Sequence, residues 1–390
     1  MKTLLNPPFR ADVVGSYLRP DFLIQARTQF VDGKITQKEL TDIENRAITE
    51  LVAKQKAAGL HVITDGEFRR SWWHLDFMWG LQGVEKASLK EGYKFQGVES
   101  RPETARLTGK ISGENHPFIE HFRFLLPFAE SDIVPRITIP APAQFFKELY
   151  RPENKAATES IYPSQTDLLQ DIANAYQTFI QQIYAIGCRN VQLDDCTWGM
   201  MVDSRYNNAG VANSASKCDC NCASNATVIS QSIQDLAEIF VQLNNAAIVN
   251  APPDLVLTTH VCRGNYRSTW AASGGYQPVA SYLFARENVH AYYLEFDTER
   301  AGDFSPLAKV SGDKQVVLGL ISSKVGELED KQAVIKRIKE ASQYLPIERL
   351  CLSTQCGFAS TEEGNALTEE QQWAKIALVT DIAKEVWGTV

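Results

Sequence analysis

Eight short runs of aliphatic and β-branched residues recur along the 390-residue chain, separated by longer segments whose apolar positions repeat every three to four residues. No other feature narrows the fold so far. Short apolar runs bounded by glycine, proline and polar clusters read as buried strands, and the longer segments as amphipathic helices. Their alternation points to parallel strands joined by crossover helices. Strands are expected over 12–16, 62–67, 137–140, 191–194, 255–260, 291–295, 316–321 and 349–353, and helices over 37–58, 165–186, 228–249, 330–342 and 369–387. Eight such units in succession predict an α/β fold, a single (β/α)8 TIM barrel spanning 1–390. A doubly wound open sheet is the weaker choice, because no glycine-rich dinucleotide fingerprint follows the first strand. Two stretches exceed a minimal barrel. The segment from about 80 to 113, after the second strand, is rich in glycine and charge and reads as a hairpin or long loop. The segment from about 201 to 225, after the fourth strand, is a polar insertion rich in Asn and Ser. Both follow the C-terminal ends of strands, where such barrels carry their active sites, so both are candidate lids or substrate walls.

Charge and cysteine content exclude several functions. The formal net charge is −8 and basic residues are scattered, so neither nucleic acid nor an anionic membrane has an electrostatic footprint to bind. The opening MKTLLNPPFRAD lacks the apolar core of a signal peptide, and no run of about 18 apolar residues could span a bilayer, so a cytoplasmic location is expected. Eight cysteines in such a chain read as free thiols or metal ligands rather than a disulfide framework. Cys218, Cys220 and Cys222 alternate with single residues and have no histidine nearby. They read as exposed, oxidisable loop thiols in preference to a second metal site.

Chemistry concentrates at the strand ends. In Thr258-Thr259-His260-Val261-Cys262-Arg263-Gly264-Asn265 the histidine and cysteine are two apart where the fifth strand ends, so in extended geometry both side chains leave one face and reach one ion. Alone, the pair fits equally well a buried histidine packed beside a small hydrophobic thiol. The sixth strand ends in Tyr292-Tyr293-Leu294-Glu295-Phe296-Asp297, which sets Glu295 straight after a run expected to be buried. The eighth is followed by Ser353-Thr354-Gln355-Cys356-Gly357-Phe358, which brings Cys356 to the same rim. One histidine, two thiolates and one carboxylate make the tetrahedral donor set that zinc prefers.

In this order along the chain, these segments resemble the zinc ligands in the catalytic barrel of cobalamin-independent methionine synthases. Upstream, Val14-Gly15-Ser16 looks like that family's first-strand turn for the substrate carboxylate. Asp65-Gly66-Glu67 and Val191-Gln192-Leu193-Asp194 look like its two amino-group anchors. The similarity spans nearly the whole chain. It implies zinc on His260, Cys262, Glu295 and Cys356, substrate binding by Gly15, Ser16, Glu67 and Asp194, and transfer of a methyl group to the thiol of homocysteine to give methionine. The implied partners are that small-molecule thiol and a methyl donor; a homodimer stays open. The physical reason for the metal is the thiol: a free one titrates near about pH 8.5, whereas coordination displaces its proton and leaves the sulfur able to attack. With both cysteines ionised the charge at the metal is roughly zero, and a carboxylate such as Glu295 is the donor most easily displaced by an incoming thiolate. Glu67 and Asp194 complement an ammonium, and Ser16 with backbone N–H groups complements a carboxylate. Glu67 has a purely structural alternative, an ion pair with Arg69 or Arg70, and only one of Asp194 and Asp195 should face the barrel mouth.

Departures from the family pattern leave the donor open between a 5-methyltetrahydrofolate type and another. The family's full-length enzymes resemble two fused barrels, of which this chain matches the catalytic one. Lys324 stands where the family places a histidine thought to protonate the departing nitrogen, so Asp194, Glu67 and Lys324 form the expected catalytic set. The pterin-stacking tryptophan is missing after the third strand. Trp72, Trp73 and Trp79 are the substitutes at hand, and His74 is a further pocket candidate. Two other functions compete. One is a zinc alkyltransferase acting on a different thiol such as coenzyme M, with Arg19, Arg263 or Lys324 holding the sulfonate. The other is a non-catalytic zinc- or thiol-sensing barrel whose four protein ligands close the site.

Overall fold

The computed structural model describes residues 7–203 and 233–390. Its centre is a six-stranded, all-parallel sheet in the order β5 (Ile137–Pro140), β6 (Asn190–Asp195), β7 (Val256–Val261), β8 (Ala291–Glu295), β9 (Gln315–Ile321) and β10 (Leu350–Thr354). Consecutive strands are neighbours, and helices fill several of the crossovers, as the alternation requires. A two-stranded parallel pair, β1 (Val62–Ile63) with β4 (Val134–Pro135), runs into the β5 edge, since only Arg136 separates β4 from β5.

The first two expected strands are cut short. Over 12–16 the chain makes only single parallel bridges, Ala11 to Leu352 and Ser16 to Gly66, because Gly15 turns at φ 143°. The second strand ends at Ile63 instead of 67. The Asp65 carboxylate accepts the Glu67 N–H at 2.9 Å, and Gly66 and Glu67 take φ of 66° and 61°, so the chain leaves the sheet. A side chain at Gly66 would also meet Leu51 at 2.4 Å. That left-handed turn swings Glu67, a residue seldom found at positive φ, into the strand ends.

The long helices form where their caps and periodicity place them. Gln37–Ala57 and Glu369–Trp387 start with reciprocal Thr36/Glu39 and Thr368/Gln371 capping boxes, and Ser164 and Asp330 cap Gln165–Ala185 and Lys331–Ala341. The expected helix 228–249 is described as Ile233–Ile248. Between β8 and β9 the crossover carries only 3-10 turns, Glu299–Ala301 and Ser305–Lys309. The stretch 80–113 is an antiparallel hairpin, β2 (Gln82–Ser88) with β3 (Glu103–Ser112), whose Ala105, Leu107 and Ile111 are buried. The 201–225 insertion, with Cys218, Cys220 and Cys222, lies outside the described residues from 204 onward. Among the described residues no helix is long and apolar enough to cross a membrane.

Strand alternation divides the sheet into two chemically different faces. Ile137, Ile139, Val191, Leu193, Leu257, Tyr292, Leu294, Val316, Leu318, Leu350 and Leu352 join the main hydrophobic core. The opposite face carries Arg136, Thr138, Asn190, Gln192, Asp194, His260, Tyr293 and Glu295, all buried. Deep on that face, Arg136 donates to both Asp12 oxygens (2.8 and 3.2 Å), the Val13 carbonyl (2.8 Å), Asn190 Oδ1 (2.7 Å) and the Tyr293 hydroxyl (2.5 Å). Every guanidinium N–H is used, which is the condition for a buried ion pair to be tolerated.

Candidate metal centre

At the C-terminal end of that polar face, His260, Cys262, Glu295 and Cys356 converge with one donor atom each, all within 4.8 Å of one another and all buried. Among the described residues this is the one such group of three or more His, Cys, Asp or Glu. Each donor arrives as a strand stops: His260 from β7, Cys262 just beyond it, Glu295 as the last residue of β8, and Cys356 in the turn after β10. That turn passes so close to the first-strand segment that a side chain at Gly357 would sit 1.9 Å from Ser16 Oγ, so only glycine fits.

The donors are prepared for a cation. His260 Nδ1 lies 3.2 Å from the Tyr293 carbonyl, which can only accept, so the ring proton sits there and the Nε2 lone pair faces the cluster. Among the described residues Nε2 is buried without a hydrogen-bond partner. The two sulfurs lie 3.8 Å apart as free thiols. A hydrogen bond with Cys196 and burial push the Cys262 thiol well above its ordinary range. The hydrogen bond with Cys262 and burial do the same to Cys356. Each therefore needs an adjacent cation to ionise at neutral pH. Glu295 behaves oppositely. Burial by itself would raise its carboxyl, but the neighbouring cations, Lys324 first and then Arg300 and Arg263, hold it below the usual carboxylate value. An orphaned imidazole nitrogen, two thiols and an anionic carboxylate suit a borderline-soft divalent metal.

Beside the donors a small cleft is lined by Val14, Ser16, Glu67, Trp73, Asp194 and Ser360 together with His260, Cys262, Cys356 and Gly357. Glu67 Oε1 accepts from Thr138 at 2.8 Å and lies 3.4 Å from Arg70, while Oε2 is buried without a partner. Arg69 is engaged by Glu44, so only Arg70 supplies the expected ion pair, and it reaches one oxygen. Asp194 takes Gln192 Nε2 at 2.9 Å and faces the cleft. Asp195 turns away to Thr197 and Asn244, as strand parity requires. Burial and then the neighbouring Glu67 charge raise Asp194 well above its normal value, and burial raises Glu67. Gly15 does not line the cleft; a side chain there would meet Thr138 at 2.8 Å.

The other sequence candidates spread around this site. Lys324 is buried, donates to Asn265 Oδ1 at 2.9 Å and does not line the cleft. Asn265 in turn donates to the Gly357 carbonyl and to Ser360, beside Cys356. Of the tryptophans only Trp73 lines the cleft; Trp72 and Trp79 donate to Glu103 and the Thr104 carbonyl. His74 packs against Trp73 with tilted rings, centroids 4.5 Å apart, and meets Tyr93 at 3.0 Å. Burial and then Arg151 drop His74 to about 3, so it is neutral. Arg19 is spent on backbone, donating to the carbonyls of Tyr17, Ala359, Thr361, Glu67 and Arg70. Arg263 is spent on Gly274, Tyr276 and the Glu295 carbonyl. Sequence reasoning missed Thr138, Asn265, Ser360, Cys196 and Arg300. Thr138, Asn265, Ser360 and Cys196 act through contacts between segments far apart in the chain, for which local spacing holds no signal, whereas Arg300 lies five residues beyond Glu295.

No protein-family model matches the chain. It is 43% identical, over 97% of its length and 95% of the relative's, to the uncharacterized protein YxjH of Bacillus subtilis. It is 22% identical, over 90% of the chain and 88% of the relative, to a methionine synthase of Saccharolobus solfataricus. Its fold is that of a B12-independent methionine synthase from a Shewanella species solved with selenomethionine (17% identity, 97% of each chain, TM-score 0.71). A crystallised Listeria monocytogenes protein, described as a candidate vitamin-B12-independent methionine synthase, superposes with a TM-score of 0.71 over 98% of this chain and 99% of its own, at 37% identity. With that degree of identity over the full length of both chains, and with the donor cluster where the motifs place it, the chain belongs to the cobalamin-independent methionine synthase family.

Proposed function

We propose that this chain is a zinc-dependent methyltransferase that moves a methyl group from a 5-methyltetrahydrofolate-type or other donor to the thiol of homocysteine, giving methionine. The observation that carries it is a buried His260 Nε2 without a partner, set within 4.8 Å of two thiols and a carboxylate and opening on a cleft lined by two more carboxylates. His260, Cys262, Glu295 and Cys356 would hold the zinc, whose chemistry is to lower the pKa of a substrate thiol so that it reacts as thiolate. The remaining work belongs to the protein. Glu67 offers an unpartnered oxygen, and Asp194 is destabilised as an anion by Glu67. An ammonium between them satisfies the one and relieves the other. Ser16 faces the same cleft and is assigned the substrate carboxylate, with Gly15 shaping the turn that presents it. Trp73 supplies a ring against which a donor can stack. Lys324 is assigned the proton for the leaving group, exchanging Asn265 for it.

Among the described residues no Lys or Arg lines the cleft, and Arg19, Arg263 and Lys324 are already engaged. This favours an ammonium-bearing thiol over a sulfonate thiol such as coenzyme M. A cleft with unsatisfied polar atoms beside the donors likewise favours catalysis over a closed sensor site. We also infer that the sheet closes as a (β/α)8 barrel over a single domain, supported by the parallel bridges from Ala11 to Leu352 and from Ser16 to Gly66. Calorimetric titration of homocysteine and of 2-mercaptoethanesulfonate, alongside methyl-transfer assays offering several donors in parallel, tests the assignment. Binding of homocysteine alone and methionine formation from one donor are expected; preference for the sulfonate, or protein without stoichiometric zinc, would sink it.

A further inference from the structure

The four donors differ in what else holds them. Among the described residues His260 Nε2 has no hydrogen-bond partner, and the Cys356 thiol lies beside Cys262 at 3.8 Å and Ser360 at 3.9 Å. Glu295 is held at both oxygens: Oε1 accepts the Arg263 backbone N–H at 2.8 Å, and Oε2 lies 3.4 Å from Arg300 Nη2. Arg300 enters from the 3-10 turn Glu299–Ala301, which takes the place of a full helix between β8 and β9. The turn is anchored by the Gly274 N–H donating to the Arg300 carbonyl at 2.9 Å. The guanidinium lies over the Trp270 ring at 4.9 Å, and Nη2 also reaches Asp297 at 3.2 Å. Arg300 Nη1 is buried and unpartnered, so the guanidinium has donor capacity in reserve.

Resting on the zinc–thiol reading above, we propose that Arg300 is a positioning residue that receives the Glu295 carboxylate when the substrate thiolate takes that carboxylate's place among the donors. A carboxylate released into a buried site without a cation would be left charged and unpaired, which strongly opposes release. Arg300 and the Arg263 N–H already contact both of its oxygens, so the carboxylate keeps partners once it leaves the donors, and Nη1 allows the pairing to become bidentate. No bond to carbon is made or broken in the exchange. One anion, the thiolate, replaces another, the carboxylate, and the thiol's proton leaves to solvent or a general base, so the charge at the donors is unchanged. Arg300 thereby couples thiol binding to a change of ligand set without touching substrate.

The test uses zinc-loaded full-length protein in three forms: parent, Arg300→Met, which keeps an apolar stem over Trp270 and removes the charge, and Arg300→Lys. Zinc affinity is read by competition with a chromophoric chelator, homocysteine affinity by calorimetry, and sulfur count by X-ray absorption at the zinc edge. In the parent, homocysteine should add one sulfur and remove one light ligand. In Arg300→Met zinc should be held as tightly as in the parent or more so, while homocysteine binds about tenfold more weakly, the effect of losing one charge-assisted hydrogen bond. Arg300→Lys should restore part of that loss. Unchanged homocysteine affinity and sulfur gain in Arg300→Met would overturn the role of Arg300 and leave the proposed function standing. Loss of zinc from Arg300→Met would also overturn it, by making Arg300 a clamp that holds the ligand carboxylate on the metal. A sulfur count in the parent that ignores homocysteine would overturn both.

Discussion

Two polar regions share one face of the same sheet, and they are built on opposite rules. In the deep region Arg136, Asp12, Asn190 and the Tyr293 hydroxyl complete one another, with all guanidinium N–H groups donated. At the strand ends His260 Nε2 and Glu67 Oε2 are equally buried and have no hydrogen-bond partner among the described residues. Tyr293 serves both, its hydroxyl below and its carbonyl to His260 above. Buried polar groups therefore cannot be judged by burial alone. Where every lone pair is matched the group specifies structure, and where some are left open the protein carries a cost that a ligand removes.

The contrast breaks most directly at Cys356. Cys356→Ser should lose zinc and reduce methyl transfer by at least about a thousandfold, on the order of 4 kcal/mol in the barrier, yet stay folded. Metal analysis, assay and far-ultraviolet circular dichroism check it together, and an unfolded variant at ambient temperature would show that the open region also holds the fold. Arg136→Met probes the closed region and should do the reverse. Stability in urea should fall by about 3–5 kcal/mol, because Asp12 is left buried and unpaired, while zinc stoichiometry is kept.

Glu67→Gln sharpens the comparison within the open region. It retains the Thr138 contact and removes charge, so homocysteine affinity should drop roughly tenfold to a hundredfold with zinc unchanged; an unaltered titration would remove Glu67 from the amino-group site. A pH series with methionine, which has no titrating thiol, is the subtlest check. Glu67 and Asp194 are raised acids, so the stability they contribute is complete below their ordinary range and is lost as pH rises through the raised values. Above that point both are anions and hold an ammonium best. Methionine should therefore bind more tightly as pH rises through those raised values and offset the lost stability, and Asp194→Asn should flatten both trends.

The sequence made the strand ends legible because spacing and strand parity are local. One residue separates His260 from Cys262, Glu295 closes an apolar run, and parity alone predicts that Asp194 and Asp195 part ways, which they do. The 80–113 hairpin was readable from its weak alternation. Part of what escaped is backbone conformation, the Gly15, Gly66 and Glu67 turns that curtail the first two strands. The rest is non-local: Arg19 and Asn265 acquire their tasks only when loops from different crossovers meet. Lys324 and Gly15 show the limit of motif reasoning: the matching positions are near the site, but neither lines the cleft.

The bridge from Ala11 to Leu352, with Cys356 just beyond it, has a consequence for biogenesis. A chain emerging from the ribosome presents His260 and Cys262 early, but the second sulfur arrives 94 residues after the first. Until then a nascent chain would offer a passing ion only an incomplete grip, so secure loading of the metal proposed above would wait for the segment that follows the bridge between Ala11 and Leu352.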